Sequence, residues 1–162
     1  MLESLQQALL EALEDEYKAR ATYRLILAKF GAIRPFVNIV ESEERHIQAL
    51  ALLFQKYNLP IPEDHWEQRV QAPATVREAC QAGVQAEIEN AALYQRLLHL
   101  TRDYPDVQRV FLNLQRASQT RHLPAFQRCA ERENPATGGK RGFGGRHHHK
   151  RRCGPISPGE AP

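Results

Sequence analysis

Cysteine is scarce in this chain. Cys80, Cys129 and Cys153 are the three among 162 residues. That number is too small for a disulfide scaffold, and no two of them form a Cys-x-x-Cys pair. Long apolar runs are also missing: no window approaches the ~18 continuous apolar residues of a membrane span. The N-terminus, Met1-Leu2-Glu3-Ser4, has neither a basic flank nor an apolar stretch, and Glu11, Glu14, Asp15 and Glu16 soon follow. No secretory signal is therefore read there, and a cytoplasmic location is expected by default. Strand-type alternation is absent too, so the expected fold class is all-α.

What is present is an ordinary globular composition, 42% hydrophobic and 25% charged, in a chain long enough for one domain with a core. Charge is unevenly spread. From Asn134 onward there are six basic residues and one acid, Glu160, which leaves 16 basic and 18 acidic residues in 1–133. The basic character thus belongs to the tail, residues 134–162, whose Gly, Pro, His and Arg content predicts disorder. Its Arg146-His147-His148-His149-Lys150-Arg151-Arg152-Cys153 stretch suits a loosely held soft metal or weak contact with nucleic acid or another polyanion; a merely solvating role is the simpler reading.

Four segments carry helical periodicity. The first spans about Leu2 to Phe30 and ends at Gly31. The second spans Pro35 to Tyr57, the third begins near Pro73-Ala74-Thr75 and runs to about Asp103, and the fourth spans Pro105 to about Glu131. Residues 31–34 and 104–105 are short turns, so the segments pair as two antiparallel hairpins. Asn58 to Ala72 lies between them. At roughly 3.3 Å per extended residue, about 15 residues cross the full length of a bundle. Trp66 is expected to pack on the outside of the helices as that crossover passes.

Ionisable residues interrupt the apolar faces at mid-helix, and they repeat. Glu16 precedes Tyr23 by seven residues, and Glu87 precedes Tyr94 by seven. Glu43-x-x-His46 on the second segment is matched on the fourth by Gln119-x-x-His122. A duplicated helical hairpin is the simplest account. Residues i and i+3 lie ~60° apart around a helix and ~4.5 Å apart along it, so Glu43 and His46 can reach one ion. Glu16, Glu43, His46, Glu87 and His122 are then metal-ligand candidates at one level of the core. Buried carboxylates are tolerated when paired or bound to metal, and mixed carboxylate and imidazole donors suit iron, manganese or zinc. A single Glu-x-x-His more often lies on a solvated face; the duplication is what gives this one weight.

Glu16-x-x-Ala19-Arg20-x-x-Tyr23 resembles the first-helix motif of rubrerythrins, and Glu43-x-x-His46 resembles their second. The order of motifs is similar to that of the carboxylate-bridged di-iron proteins of the ferritin-like superfamily. Residues 5–131 also resemble a domain of unknown function in that superfamily. The resemblance implies a ferritin-like four-helix bundle over 1–133. It implies one or two iron ions, with Glu16 and Glu87 as terminal ligands, Glu43 bridging, and His46 and His122 giving one imidazole per ion. Tyr23 and Tyr94 would donate hydrogen bonds to the ligands. A rubrerythrin-like oxidoreductase of peroxidase or ferroxidase type, reacting with peroxide or dioxygen, would need an external electron donor, since no rubredoxin-type cysteine pair is present.

The chain departs from that pattern at Gln119, where the family carries a second bridging carboxylate. Glutamine offers a neutral carbonyl near the site. Three carboxylates leave +1 uncompensated against two divalent ions, so a weak second ion or a mononuclear site is expected. Pro124 is expected to kink the fourth helix and free the carbonyl of Thr120. Cys80 lies seven residues before Glu87 and Cys129 seven after His122, which places both at another level and in reach of each other, as a thiol pair or a disulfide. A non-catalytic storage or stress-protection bundle, and a metal-free helical scaffold whose tail recruits a partner, are the alternative functions. An apolar stripe on the first two helices is compatible with a homodimer.

Overall fold

The computed structural model describes residues 2–134; the tail expectations fall outside the described residues. Among those described there are helices and no strands. Helix α1 is Leu2–Phe30, α2 is Phe36–Lys56, α3 is Val76–Leu100, α4 is Pro105–Ala117 and α5 is Leu123–Arg132. A π-helical turn, Ser118–His122, joins α4 to α5, so these three form one continuous fourth run. No described helix is long and apolar enough to cross a membrane.

The ends follow from local chemistry. Gly31, at φ 82°, closes α1 while its N–H bonds the carbonyl of Leu27. Asn58 takes the same left-handed region at φ 52° after α2, and Leu59 N–H returns to the carbonyl of Phe54. Thr75 caps α3 by accepting from Glu78 N–H, and the Glu78 carboxylate accepts from Ala74 N–H. Pro105 opens α4, where a missing N–H costs nothing.

Side-chain pairs fix the directions. Tyr23 meets Glu87 and Tyr94 meets Glu16, so α1 and α3 run antiparallel. Lys56 meets Asp106 while Glu43 meets His122, so α2 and the fourth run are antiparallel as well. With α1 and α2 joined by a short turn, α2 and α3 are parallel, and residues 57–75 must travel back along the molecule. That connection lies against α1. Tyr17 donates to the carbonyl of Pro62, Arg20 to Asp64, and the Trp66 indole N–H to Glu14 at 2.6 Å. Trp66 is half-buried there, in a short 3-10 turn, Trp66–Gln68, as its place outside the helices requires.

The interior is two apolar clusters rather than one. Leu5, Leu9, Leu13, Leu50, Phe54, Leu97 and Phe111 form the first. Tyr23, Ile26, Phe36, Ile39, Phe126, Cys80 and Cys129 belong to the second. Between them lies a layer of buried polar groups.

Candidate metal centre

That layer is made by Glu16 on α1, Glu43 and His46 on α2, Glu87 on α3, and Ser118 and His122 in the π turn. All five expected ligand residues meet at one level. His46 Nδ1 lies 3.1 Å from Glu16 Oε2 and 2.9 Å from Glu43 Oε2. His122 Nδ1 lies 3.3 Å from Glu43 Oε1 and 3.5 Å from Glu87 Oε1. Glu43 therefore gives one oxygen to each histidine. The two rings stack with centroids 5.7 Å apart. Two three-residue donor sets result, Glu16–Glu43–His46 and Glu43–Glu87–His122, each with donor atoms within 4.8 Å of one another.

The tyrosines cross over between the repeats. Tyr94 donates to Glu16 Oε1 at 2.7 Å, and Tyr23 donates to Glu87 Oε1 at 3.3 Å. Each hydroxyl holds the carboxylate of the opposite hairpin; on Glu16 this leaves Oε2 toward His46, whereas Glu87 Oε1 faces both Tyr23 and His122. Burial pushes both phenols well above their ordinary range, so they remain donors.

Gln119 does not take part. It is exposed, and Ser118 occupies the inward position instead. The reason is the π turn. Leu123 N–H bonds the carbonyl of Ser118, five residues back, so one extra residue sits in that turn. Counting three residues back from His122, as on α2, lands on the outside; four lands on Ser118. The serine hydroxyl is 3.4 Å from the backbone carbonyl of Glu87, a hydrogen bond that spends it on the backbone. Pro124, which the sequence marks as a kink, lies in the first turn of α5 directly after the widened turn.

No lysine or arginine pairs with Glu16, Glu43 or Glu87 among the described residues; their ionic partners there are the two histidines. Arg20, the nearest cation in the motif, is held by Glu44 at 2.7 Å and Asp64 at 2.8 Å. Without an ion, protons fill the role. Burial and then repulsion from Glu43 push Glu16 up, so it keeps a proton. Burial would raise Glu43 also, but hydrogen bonds from His122, His46 and Glu16 outweigh it and hold the group down. Burial alone would lower the histidines, yet their bonds to these carboxylates raise His46 to about 10 and His122 to about 9. Three carboxylates and two imidazoles on four helical runs, with no fixed cation, fit a site for transition-metal ions.

Two further residues at the site's edge were missed in the sequence. Asp15 accepts from Asn90 at 2.7 Å, and burial raises its carboxyl despite that bond. Asn90 Oδ1 is buried without a protein partner. Both line a cavity of ≈ 80 Å³ that opens from the cluster between α1 and α3, beside Ala19, Ala82, Gly83 and Ala86. In the sequence Asp15 stands in an acidic run with no repeat partner; its position next to Glu16 was the available signal.

A family model described as an uncharacterized protein domain, DUF2202, matches residues 6–138. The chain belongs to the DUF2202 family. All five candidate ligands and both tyrosines fall inside the matched range. This DUF2202 chain is similar to the uncharacterized protein MJ0754 of Methanocaldococcus jannaschii, 28% identical over 141 residues that cover 78% of this chain and 75% of that protein. It is also similar to the crystal structure of hypothetical protein MJ0754 from Methanococcus jannaschii, with a TM-score of 0.69 at 27% identity over 78% of this chain and 79% of that one.

Cys80 and Cys129, expected to touch, are joined as a disulfide linking α3 to α5, at a sequence separation of 49. It lies within the second apolar cluster, at a different level from the ligand layer, as the seven-residue spacings require.

Proposed function

We propose that this DUF2202 protein is a ferritin-like metalloprotein that holds two transition-metal ions, iron foremost, and reacts with peroxide or dioxygen. The observation that carries the reading is Glu43, whose two carboxylate oxygens face different histidines. A carboxylate so placed could be shared by two cations: Glu16, Glu43 and His46 would hold one, and Glu43, Glu87 and His122 the other. Manganese or zinc suits the same donors. The antiparallel helix pairs and the long connection between α2 and α3 are the arrangement such a bundle would need, and they support the same reading.

Bound ferrous iron would supply the electrons that reduce an oxidant. The protein's part is to bind, orient and limit access. Tyr94 and Tyr23 hold Glu16 and Glu87 in place. Glu43 stays charged because three hydrogen-bond partners favour its anion. The cavity of ≈ 80 Å³ has room for a few water-sized molecules and excludes large organic substrates. Asn90 Oδ1 offers a small polar molecule an acceptor at the cavity wall. Electrons for repeated turnover would come from an external donor.

The test is anaerobic loading of the full chain with ferrous iron, followed by rapid mixing with hydrogen peroxide or dioxygen. The reading expects oxidation faster than that of free ferrous iron, with the rate lost in Glu43→Gln. A non-catalytic storage or stress-protection bundle would bind iron without accelerating either oxidation, and a metal-free scaffold would bind none.

A further inference from the structure

On the side of the cluster away from the ≈ 80 Å³ cavity, α2 and the fourth run part to form a cleft of ≈ 370 Å³. Arg45, Arg116 and Arg121 line it together with Ser42, Asn113 and His46, and no acidic residue does. The body as a whole has more acids than bases, so three cations around one concavity stand against the background. None of the three guanidiniums has an ion pair or hydrogen bond among the described residues, so all three are free to take a ligand.

The π turn brings two of them together. Arg116 and Arg121 are five residues apart, which on an uninterrupted α-helix would separate them by about 140°. The widened turn between them carries both to the cleft. The same local insertion therefore places His122 and Ser118 inward and the two arginines on one outer side. Arg45 faces them from α2, one residue before His46. His46 turns Nδ1 to the carboxylates, and its Nε2 lies 3.4 Å from the Ser42 hydroxyl at the cleft.

We propose that this cleft binds a phosphate-type oxyanion. Guanidinium groups are planar forks that match phosphate oxygens two at a time. Ser42 and Asn113 add neutral donors. The cations converge on a concave space in the size range of small-ligand sites, which favours a compact anion over an extended acidic protein face. This inference does not depend on metal in the carboxylate layer.

The test is calorimetric titration of the full chain, stripped with a chelator, with inorganic phosphate and separately with adenosine monophosphate. Stripping removes any metal that would itself take phosphate, and the basic tail is common to every variant. One saturable phosphate per chain is expected, weakened at least tenfold by Arg116→Gln with Arg121→Gln. Arg45→Gln, outside the π turn, gives an independent loss should the double variant not fold. Backbone amide shifts should concentrate at Ser42–His46 and Asn113–Arg121. Tighter binding of the monophosphate ester than of phosphate would assign the oxyanion to an organic carrier; equal binding would assign it to free phosphate. Binding unchanged in both variants, shifts confined to the tail, or an acidic peptide bound where phosphate is not, would overturn the proposal.

Discussion

A carboxylate in a dry helical interior needs a cation or a proton beside it, and three share one level here. In the metal-free protein the protons are on Glu16 and on the two histidines. A histidine raised in the folded state stabilises the fold fully below its unfolded value of ~6.5, and the contribution is lost as pH rises through the folded value. With His46 at about 10 and His122 at about 9, chelator-treated protein should lose stability steadily from near neutral pH up to that range. Glu16, also raised, acts in the same direction. Thermal melts across that window check it; a rising or flat melting temperature would contradict it. Metal must displace these protons, so metal affinity should instead rise with pH. Tyr94→Phe removes the 2.7 Å bond to Glu16 without changing the core's shape, and should weaken metal binding by about 10–100-fold, as loss of a partner behind a ligand commonly does.

At the scale of the element, the π turn decides what the fourth run contributes. Ser118 stands where a second bridging carboxylate would sit, so Ser118→Glu should strengthen binding of the second metal ion and destabilise the metal-free protein by adding a fourth buried acid. Competition with a chromophoric chelator measures the first effect and a urea titration the second. On α3, a Cβ at Gly83 would lie 2.6 Å from the Phe126 ring, which packs against Tyr23 and Phe36. Alanine would gain ~1 kcal/mol of helix propensity, but overpacking of a full core costs about 1–3 kcal/mol, so Gly83→Ala should be net destabilising by urea denaturation.

The same scale explains what the sequence made legible. Helical periodicity with Gly31, the Pro73-Ala74-Thr75 stretch and Pro105 at the ends located all four runs, because each signal acts within a few residues. Glu16, Glu43, His46, Glu87 and His122 were found because a duplicated pattern on four apolar faces has little other physical reason. The inserted residue was not legible: a π turn changes no composition, and Pro124 marks only that something near it departs from the α-helix. Counting by three therefore chose Gln119 over Ser118. Asp15 and Asn90 were hidden because they come together from helices 75 positions apart in sequence, with no repeat to link them.

For the whole molecule, the polar layer divides the interior, and each apolar cluster must hold its half. The Cys80–Cys129 disulfide ties α5 to α3 in the half that contains Phe126. Chain-entropy arguments give a crosslink closing about 50 residues roughly 4 kcal/mol of stabilisation. Cys80→Ala with Cys129→Ala should lower stability on that order in urea titrations while leaving the ligand layer, at another level, able to bind metal. In the proposed reading, five side chains of that layer from four helical runs, four of them buried and His46 half-buried, hold two ions with Glu43 common to both. Its most direct measurement is equilibrium titration of anaerobic chelator-treated protein with ferrous iron, comparing the native chain with Glu43→Gln and Glu87→Gln. Two ions per native chain, one strongly held ion after Glu87→Gln, and loss of both after Glu43→Gln are expected. Iron that does not bind the native chain, or that binds equally well without the Glu43 carboxylate, would contradict it.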